Sequence, residues 1–282
     1  MTILLLDTYS LFFRAHHALP PMSTTRGEPT GALYGLSVLL LKLLREQSPD
    51  GLALALDSAE PTFRVQEYED YKAHRERAAG PLVSQFRRLD QLIAALGVPA
   101  HAAPGFEADD ILATLVDKIG PDALVVSGDR DLLQLAQNGA RILFVGARGQ
   151  KHRMYDRAAV EERFGIAPEQ LPSYVALVGD PSDNLPKVPG IGARGAQRLI
   201  ARWGDIDGLL AHLSEIPLKL RDVLAAHADQ ARRCEALARL RTDVQLAGGP
   251  LHAPLPSEAS ARLRELFTEL EFKSLLPRLP SS

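Results

Sequence analysis

Three short apolar runs punctuate the first half of the chain, and each closes on an aspartate. Ile3-Leu4-Leu5-Leu6 runs into Asp7, Leu52-Ala53-Leu54-Ala55-Leu56 into Asp57, and Ala123-Leu124-Val125-Val126-Ser127-Gly128 into Asp129. Runs that are apolar at nearly every position mark strands covered on both faces. Between them the period changes. Leu33, Leu36, Leu40 and Leu44 recur at helical spacing over about Gly31 to Gln47, with Thr30 placed to cap the helix. Phe86, Leu89, Ile93 and Leu96 form the stripe of another helix, which Pro81 can start and which ends near Gly97. Strand alternating with helix predicts an α/β core around a mainly parallel sheet flanked by helices. Beyond Asp156, a candidate N-cap, the pattern is helical to the end, with strand signal only at Val244 to Leu246; Pro277 to Ser282 reads as a frayed end.

A parallel sheet brings its strand C-termini to one edge, where open α/β folds bind ligands. Asp7, Asp57 and Asp129 are therefore expected to converge. Glu107-Ala108-Asp109-Asp110 precedes an apolar helical run from Ile111 to Ile119, which puts these carboxylates in a first turn, at the positive end of the helix dipole. Asp131 follows Asp129 at a spacing of two, and Asp180 and Asp183 lie in Gly179-Asp180-Pro181-Ser182-Asp183-Asn184-Leu185-Pro186. One aspartate at a strand end is usually a turn former or a cap. Nine acids at edge and loop positions need cations, because like charges ~4 Å apart repel by ~4 kcal/mol at an effective dielectric of about 20. Oxygen donors without His or Cys nearby favour hard ions, Mg²⁺ or Mn²⁺, over zinc. Two such ions about 4 Å apart activate a water and stabilise both the attacking and the leaving oxygen in phosphoester hydrolysis.

Composition narrows the setting. With 282 residues, 46% hydrophobic and 24% charged, the chain reads as a soluble globular protein of one large or two modest domains. The single cysteine, Cys234, leaves neither an intramolecular disulfide nor a Cys-based zinc site, and points to a reducing compartment, the cytoplasm. Met1 to Phe13 lacks the basic start of a signal peptide and is interrupted by Asp7; Leu36 to Leu44 contains Lys42 and falls short of the ~20 residues that span a bilayer. A net charge of -3 argues against a generally basic nucleic-acid-coating protein. Setting aside the nine gathered acids leaves 26 against 32 basic residues, a surface that could attract a polyanion.

Two further segments carry alternatives. Pro189-Gly190-Ile191-Gly192-Ala193-Arg194-Gly195-Ala196 opens a helix from about Ala193 to Trp203, ended by Gly204. It is either a plain helix-helix turn or, with Arg194 and Arg198 beside it, a helix-hairpin-helix whose amides clamp a DNA backbone without reading its sequence. Tyr68-Glu69-Asp70-Tyr71-Lys72-Ala73-His74-Arg75-Glu76-Arg77 is either a solvated charged helix or a basic cover over the cleft, to which Arg14 and Arg64 add. His16 and His17 read as structural or surface residues, and Cys234 and Trp203 as packing within the second lobe.

The order of these motifs resembles the 5′ nuclease domain at the N-terminus of bacterial DNA polymerase I and its free-standing relatives, the flap endonucleases and phage 5′-3′ exonucleases. The likeness covers nearly the whole chain and rests on Leu6-Asp7 through Phe13-Arg14, Gly27-Glu28-Pro29-Thr30-Gly31-Ala32, Asp57 with Thr62-Phe63-Arg64, Tyr71-Lys72-Ala73-His74-Arg75, Glu107-Ala108-Asp109-Asp110, Gly128-Asp129-Arg130-Asp131, and the Gly179 to Pro186 loop with Gly190-Ile191-Gly192. It implies a PIN-like catalytic core over 1–178 with a helical arch at about 64–97. A helical lobe over 179–282 would follow, with the helix-hairpin-helix at about 185–204. It implies one metal position held by Asp7, Asp57, Glu107 and Asp109, and a second held by Asp129, Asp131 and Asp183 with Asp109 nearby, Asp110 and Asp180 being outer acids. Lys72 and Arg75 would neutralise the scissile phosphate; Arg14, Arg64, Gly190, Ile191, Gly192 and Arg194 would contact DNA, with K⁺ at the hairpin in relatives. The implied activity is structure-specific 5′ nuclease action in replication and repair, on DNA with 5′ flaps or junctions and on RNA/DNA primer ends, by a cytoplasmic monomer without membrane attachment.

The sequence departs from the family pattern in places. Thr8 replaces a common glycine, Arg130 replaces the usual lysine, and Glu76-Arg77-Ala78-Ala79-Gly80-Pro81 replaces a proline-rich stretch after the basic pair. The length stops where the family's nuclease domain stops, so the expectation is a chain without an attached polymerase. Other classes fit less well. A binding module that has lost catalysis should lack several acids, a haloacid-dehalogenase phosphatase wants an aspartate where Tyr9 stands, and a metal-dependent RNase on a similar sheet usually lacks the hairpin.

Overall fold

The computed structural model describes residues 1–75, 80–146 and 150–280. Its elements run β1 Ile3–Asp7, α1 Thr8–Ala18, α2 Gly31–Gln47, β2 Gly51–Ala55, α3 Phe63–Glu67, α4 Phe86–Leu96, β3 Ala100–His101, α5 Ala108–Ile119, β4 Ala123–Ser127, β5 Arg141–Phe144 and β6 Arg153–Tyr155. The helices α6 Arg157–Phe164, α7 Leu171–Val178, α8 Ala193–Trp203, α9 Ile206–Ala211, α10 Leu218–Ala226, α11 Ala228–Ala238 and α12 Ala259–Glu269 follow. The sheet order is β3-β2-β1-β4-β5-β6, parallel throughout except for β6. The three apolar runs are thus its central strands. No helix among the described residues is long and apolar enough to cross a membrane.

Period-two alternation sends neighbouring strand residues to opposite faces. Ile3, Leu5, Ala53, Ala55 and Val125 pack with Ile111, Leu112 and Leu115 of α5, in a core that continues into the helical lobe through Leu199, Leu209 and Leu237. Leu4, Leu6, Leu52, Leu54 and Val126 pack on the other face against α1, α2, α4 and α12. Each fully buried leucine of this kind contributes roughly 1.5–3 kcal/mol.

Several expectations change in the folded chain. Thr30 stands at the N-cap of α2 but its side chain makes no cap bond. The orphan amides of Ala32 and Leu33 are taken instead by Gln85 Oε1, at 3.0 and 3.2 Å. The helix assigned from Pro81 begins only at Phe86, after a 3-10 turn over Val83–Gln85. The arch at about 64–97 is no continuous helix among the described residues: α3 ends at Glu67, 69–74 are turns, and Glu76-Arg77-Ala78-Ala79 lie outside the described residues. Val244 to Leu246 form no strand. The Val244 amide instead meets Thr114 Oγ1 at 3.2 Å.

The chain returns to the sheet after Leu251: Leu52 and Ala253 exchange backbone hydrogen bonds at 2.8 and 3.2 Å, beyond the short β3, and α12 then packs on α4. Its Leu263, Leu266 and Phe267 belong to the core under the first domain. The end is not frayed as far as Pro280, whose carbonyl accepts from Ser260 Oγ at 2.8 Å.

Candidate active site

Parallel packing of β1, β2 and β4 delivers Asp7, Asp57 and Asp129 to one edge, where they line a cleft of about 620 Å³ with Glu107, Asp109, Lys72 and Arg75. Asp7 ends β1 and caps α1, accepting from the Ser10 amide at 3.4 Å. Its other oxygen accepts from Ser127 Oγ at 2.5 Å, and that same hydroxyl accepts the Asp129 amide at 2.9 Å. Asp129 Oδ1 in turn accepts the Asp131 amide at 3.0 Å. Glu107 caps α5, and Asp57 Oδ1 accepts the Ala108 amide at 2.8 Å, which ties the end of β2 to the first turn of α5.

The cations reach only part of this charge. Lys72 Nζ stands 2.9 Å from Glu107 and 3.8 Å from Asp183, and Arg75 Nη2 is 2.8 Å from Asp183. Lys72 is held in place by a left-handed backbone, φ 54°, with its amide donating to Asp183 O at 3.1 Å. Burial pushes Asp7 up to about 7, against the Ser127 bond and with help from Asp57 and Asp129. Asp109 and Asp131 are raised well above the carboxylate range, first by burial and then by Asp129 with Asp7 or Asp183. Asp57 and Asp183 move the same way, again mainly by desolvation. Desolvation leads in each case and the neighbouring acids add to it, so both the setting and the crowding of this cleft disfavour the charged carboxylates.

That donor set is all oxygen and anionic, which fits hard divalent ions. As the side chains stand, no group of three or more His, Cys, Asp or Glu among the described residues is placed to hold a metal ion. Lys72, Arg75 and Ser127 instead engage Glu107, Asp183 and Asp7 individually.

Not every candidate joins the cleft. Arg64, expected on the DNA-facing surface, is 1% exposed and makes a two-pronged ion pair with Asp110 at 2.6 and 2.8 Å. Asp110, expected among the outer metal acids, is 0% exposed and spends its remaining capacity on the amides of Arg241 and Glu107. Burial overturns the DNA-contact assignment of Arg64, whose guanidinium reaches neither solvent nor a phosphate, whereas Asp110 meets the site through the Glu107 amide and Arg64, which leaves its reading as an outer acid standing. Asp180 folds back on its own turn, accepting from Ser182 N and Oγ, both at 2.6 Å. Arg14 does line the cleft, donating to Gly128 O at 2.7 Å.

The hairpin is built as its glycines suggest. At Gly179, φ 77°, a Cβ would meet Leu185 O and Lys187 N at 2.8 Å, so only glycine lets the Asp180 loop close on itself. Gly190, φ 76°, and Gly192, the N-cap of α8, are exposed, with no atom within 4 Å of an added Cβ. Arg194 is exposed beside them, whereas the Ile191 side chain is buried, which leaves only its backbone to face a ligand.

Two groups without an assigned role are built into the site. Tyr71, 4% exposed, donates to Asp183 at 2.8 Å and lies 3.2 Å from Glu107, bridging acids from separate segments. Ser127 links Asp7 to Asp129; its place beside Gly128-Asp129 at a strand end was the available signal. His17, read as structural or surface, lines the cleft.

A mainly parallel sheet with acids along its C-terminal edge, followed by a helical unit with a glycine turn, defines a nuclease-type architecture. Residues 2–165 match the family model of the 5′-3′ exonuclease N-terminal resolvase-like domain, and residues 166–257 that of the 5′-3′ exonuclease C-terminal SAM fold. The chain belongs to this family of 5′-3′ exonucleases and flap endonucleases. Among relatives, DNA polymerase I of Mycobacterium tuberculosis is 38% identical over 283 residues, covering 99% of this chain and 31% of that protein. The thermostable DNA polymerase I of Thermus thermophilus is 38% identical over 277 residues, covering 97% and 32%. The chain therefore spans about a third of the length of the curated relatives it matches. Among solved structures, T5 5′-exonuclease with bound divalent metal ions (zinc) superposes with a TM-score of 0.69 at 22% identity, covering 98% of both chains. Human GEN1 in complex with Holliday junction DNA gives 0.67 at 15% identity, covering 98% of this chain and 71% of that one. At these identities the likeness is one of fold.

Proposed function

We propose that the chain hydrolyses DNA phosphodiesters near the junction of a 5′ single strand and duplex, as a structure-specific 5′ nuclease using two divalent ions, Mg²⁺ or Mn²⁺. The observation that carries this reading is the gathering of Asp7, Asp57, Glu107, Asp109 and Asp129 around one cleft at the sheet edge, with Asp7, Asp109 and nearby Asp131 pushed toward protonation. Asp7, Asp57, Glu107 and Asp109 would hold one ion and Asp129, Asp131 and Asp183 the other, with Asp180 further out. When bound, such ions lower the pKa of water and stabilise the attacking and leaving oxygens of an in-line displacement.

The chain's own groups do the rest. Lys72 and Arg75, already at the cleft, orient the scissile phosphate and offset its charge once the carboxylates they hold are engaged by metal. Arg14 steers the backbone toward the cleft. In the lobe, Gly190 and Gly192 let duplex phosphate approach the amides at the start of α8, and Arg194 adds charge; the same turn is the place for a K⁺ ion. The division into a catalytic unit and a hairpin-bearing lobe near residue 178 belongs to this reading, as do a cytoplasmic monomer, a role in replication and repair, and action on RNA/DNA primer ends.

The test is incubation with a labelled 5′-flap DNA and Mg²⁺, with and without a chelator. Expected is metal-dependent cleavage near the junction that leaves a 5′-phosphate and a 3′-hydroxyl. Cleavage that survives chelation, or products bearing a 3′-phosphate, would overturn the mechanism.

A further inference from the structure

Among the described residues Arg64 is the largest side chain to be almost fully buried, although it sits on the five-residue helix α3. Its guanidinium faces two separate parts of the fold. Nη1 and Nη2 grip Asp110 on the first turn of α5, with Glu107 3.5 Å from Nη1. Nε donates to Leu237 O at 2.8 Å and Nη2 to Arg239 O at 3.2 Å, both at the C-terminal end of α11. Asp110 completes the joint by accepting the Arg241 amide just beyond α11 at 2.9 Å and the Glu107 amide at 3.3 Å. Only a planar fork with several donors can satisfy a carboxylate and two carbonyls at once; a lysine ammonium cannot span them.

The far side of α11 touches the hairpin. Gln230 Nε2 lies 3.4 and 3.3 Å from the carbonyls of Pro186 and Lys187, which lead into the glycine turn, and Cys234 Sγ is 3.8 Å from Pro186 O. A continuous line of hydrogen bonds thus runs from the hairpin through α11 and Arg64 to Asp110, whose side chain caps the turn that carries Glu107 and Asp109.

We infer that Arg64 is a positioning residue that locks the acid-bearing first turn of α5 to α11, so that the hairpin and the metal-binding carboxylates share one rigid frame. Arg64, at 1% exposure, would act through these contacts and not on the phosphate itself. This rests on the nuclease reading above, and it replaces the surface role that its basic character suggested.

The test uses the full chain carrying Arg64→Lys, which keeps the charge and loses the fork, and Asp110→Asn, which is isosteric and carries the same expectation should the lysine variant not fold. Mn²⁺ binding is measured without DNA, by the electron paramagnetic resonance of free Mn²⁺. It should weaken roughly 10-fold or more, the usual cost of losing a group that orients metal ligands. Single-turnover cleavage of a 5′-flap DNA should fall by a similar ~10–100-fold. Duplex affinity in Ca²⁺ and its salt dependence should match the wild type. The double variant should be no worse than the worse single one, because the pair acts as a unit. Normal Mn²⁺ affinity and normal single-turnover rate in a folded variant would overturn the inference. So would a defect confined to duplex binding with a salt slope flattened by about 0.9, which would put Arg64 on a phosphate. If the wild type cuts no DNA, the nuclease reading fails, and the Mn²⁺ titration still decides whether Arg64 organises the acids.

Discussion

Charge is handled in opposite ways at the sheet edge and at the flank where α4 meets α12. At the sheet edge, Lys72 and Arg75 pair with Glu107 and Asp183, and among the described residues Asp7, Asp109 and Asp131 make no ion pair; all three are pushed toward protonation. On the flank, Arg88 alone takes Glu28 at 2.5 Å and Glu269 at 2.8 Å, and its bond holds the Glu28 carboxyl below the usual glutamate range. The clamp is complete within the chain and joins α4, α12 and the loop before α2. Along the cleft the acids Asp7, Asp57, Glu107, Asp109 and Asp129 outnumber the cations Arg14, Lys72 and Arg75. Crowded like charges oppose folding, so their presence marks a functional site, the one proposed above to hold divalent ions, whereas balanced charge marks architecture.

The largest way to break this contrast is Asp129→Asn, which removes a proposed ligand charge while keeping the shape. Turnover at saturating Mg²⁺ should fall ~10³-fold, in keeping with the several kcal/mol a catalytic ion supplies, with DNA affinity in Ca²⁺ little changed. Near-normal turnover would remove Asp129 from the ligand set. Lys72→Ala should lower the single-turnover rate ~10²-fold even at saturating enzyme, because its charge acts on the reacting phosphate. An effect on binding alone would make Lys72 a steering group.

Gly192→Val sharpens the comparison from the lobe. A Cβ there meets nothing within 4 Å, so the fold should hold. Duplex affinity should fall and the log-log salt slope flatten by about 0.9 for one lost phosphate contact, while Mn²⁺ binding stays at the wild-type value. Unchanged affinity and slope would make the turn a plain helix connection.

Arg88→Ala is the converse case and the smallest in activity. Losing hydrogen bonds between charged groups should cost about 1.5–3 kcal/mol of stability, read as a lower Tm, with flap cleavage retained. Because the bond to Arg88 lowers the Glu28 pKa, the stability it supplies is present above the ordinary glutamate value and lost as pH falls through the lowered one. The Tm gap between wild type and variant should therefore narrow below about pH 4.3. A gap constant from pH 7 to 3 would show that packing, rather than charge, holds that flank.

Local pattern alone was enough for the three central strands, for α8 to the residue and for the convergence of Asp7, Asp57 and Asp129. Each depends on which residues alternate or recur within a few positions, and a parallel sheet then dictates where its strand ends go. The short β3 and the antiparallel β6 carried too few residues to leave such a signal, and the return of α12 to the sheet depends on a surface that earlier segments build.

The finer division of the acids shows the limit most clearly. Asp109 and Asp110 are neighbours in sequence and local pattern puts both in the same first turn, yet one step of about 100° sends the first to the cleft and the second into the interior. The same holds for Arg64, whose basic character suggested the surface until carbonyls 173 and 175 residues away closed around it. The sequence by itself determined the periodic elements and the sheet edge where acids meet, because those follow from local spacing. Only the tertiary structure decided which charges face solvent and which are locked inside, because a buried charge is tolerated only where distant segments supply its hydrogen-bond partners.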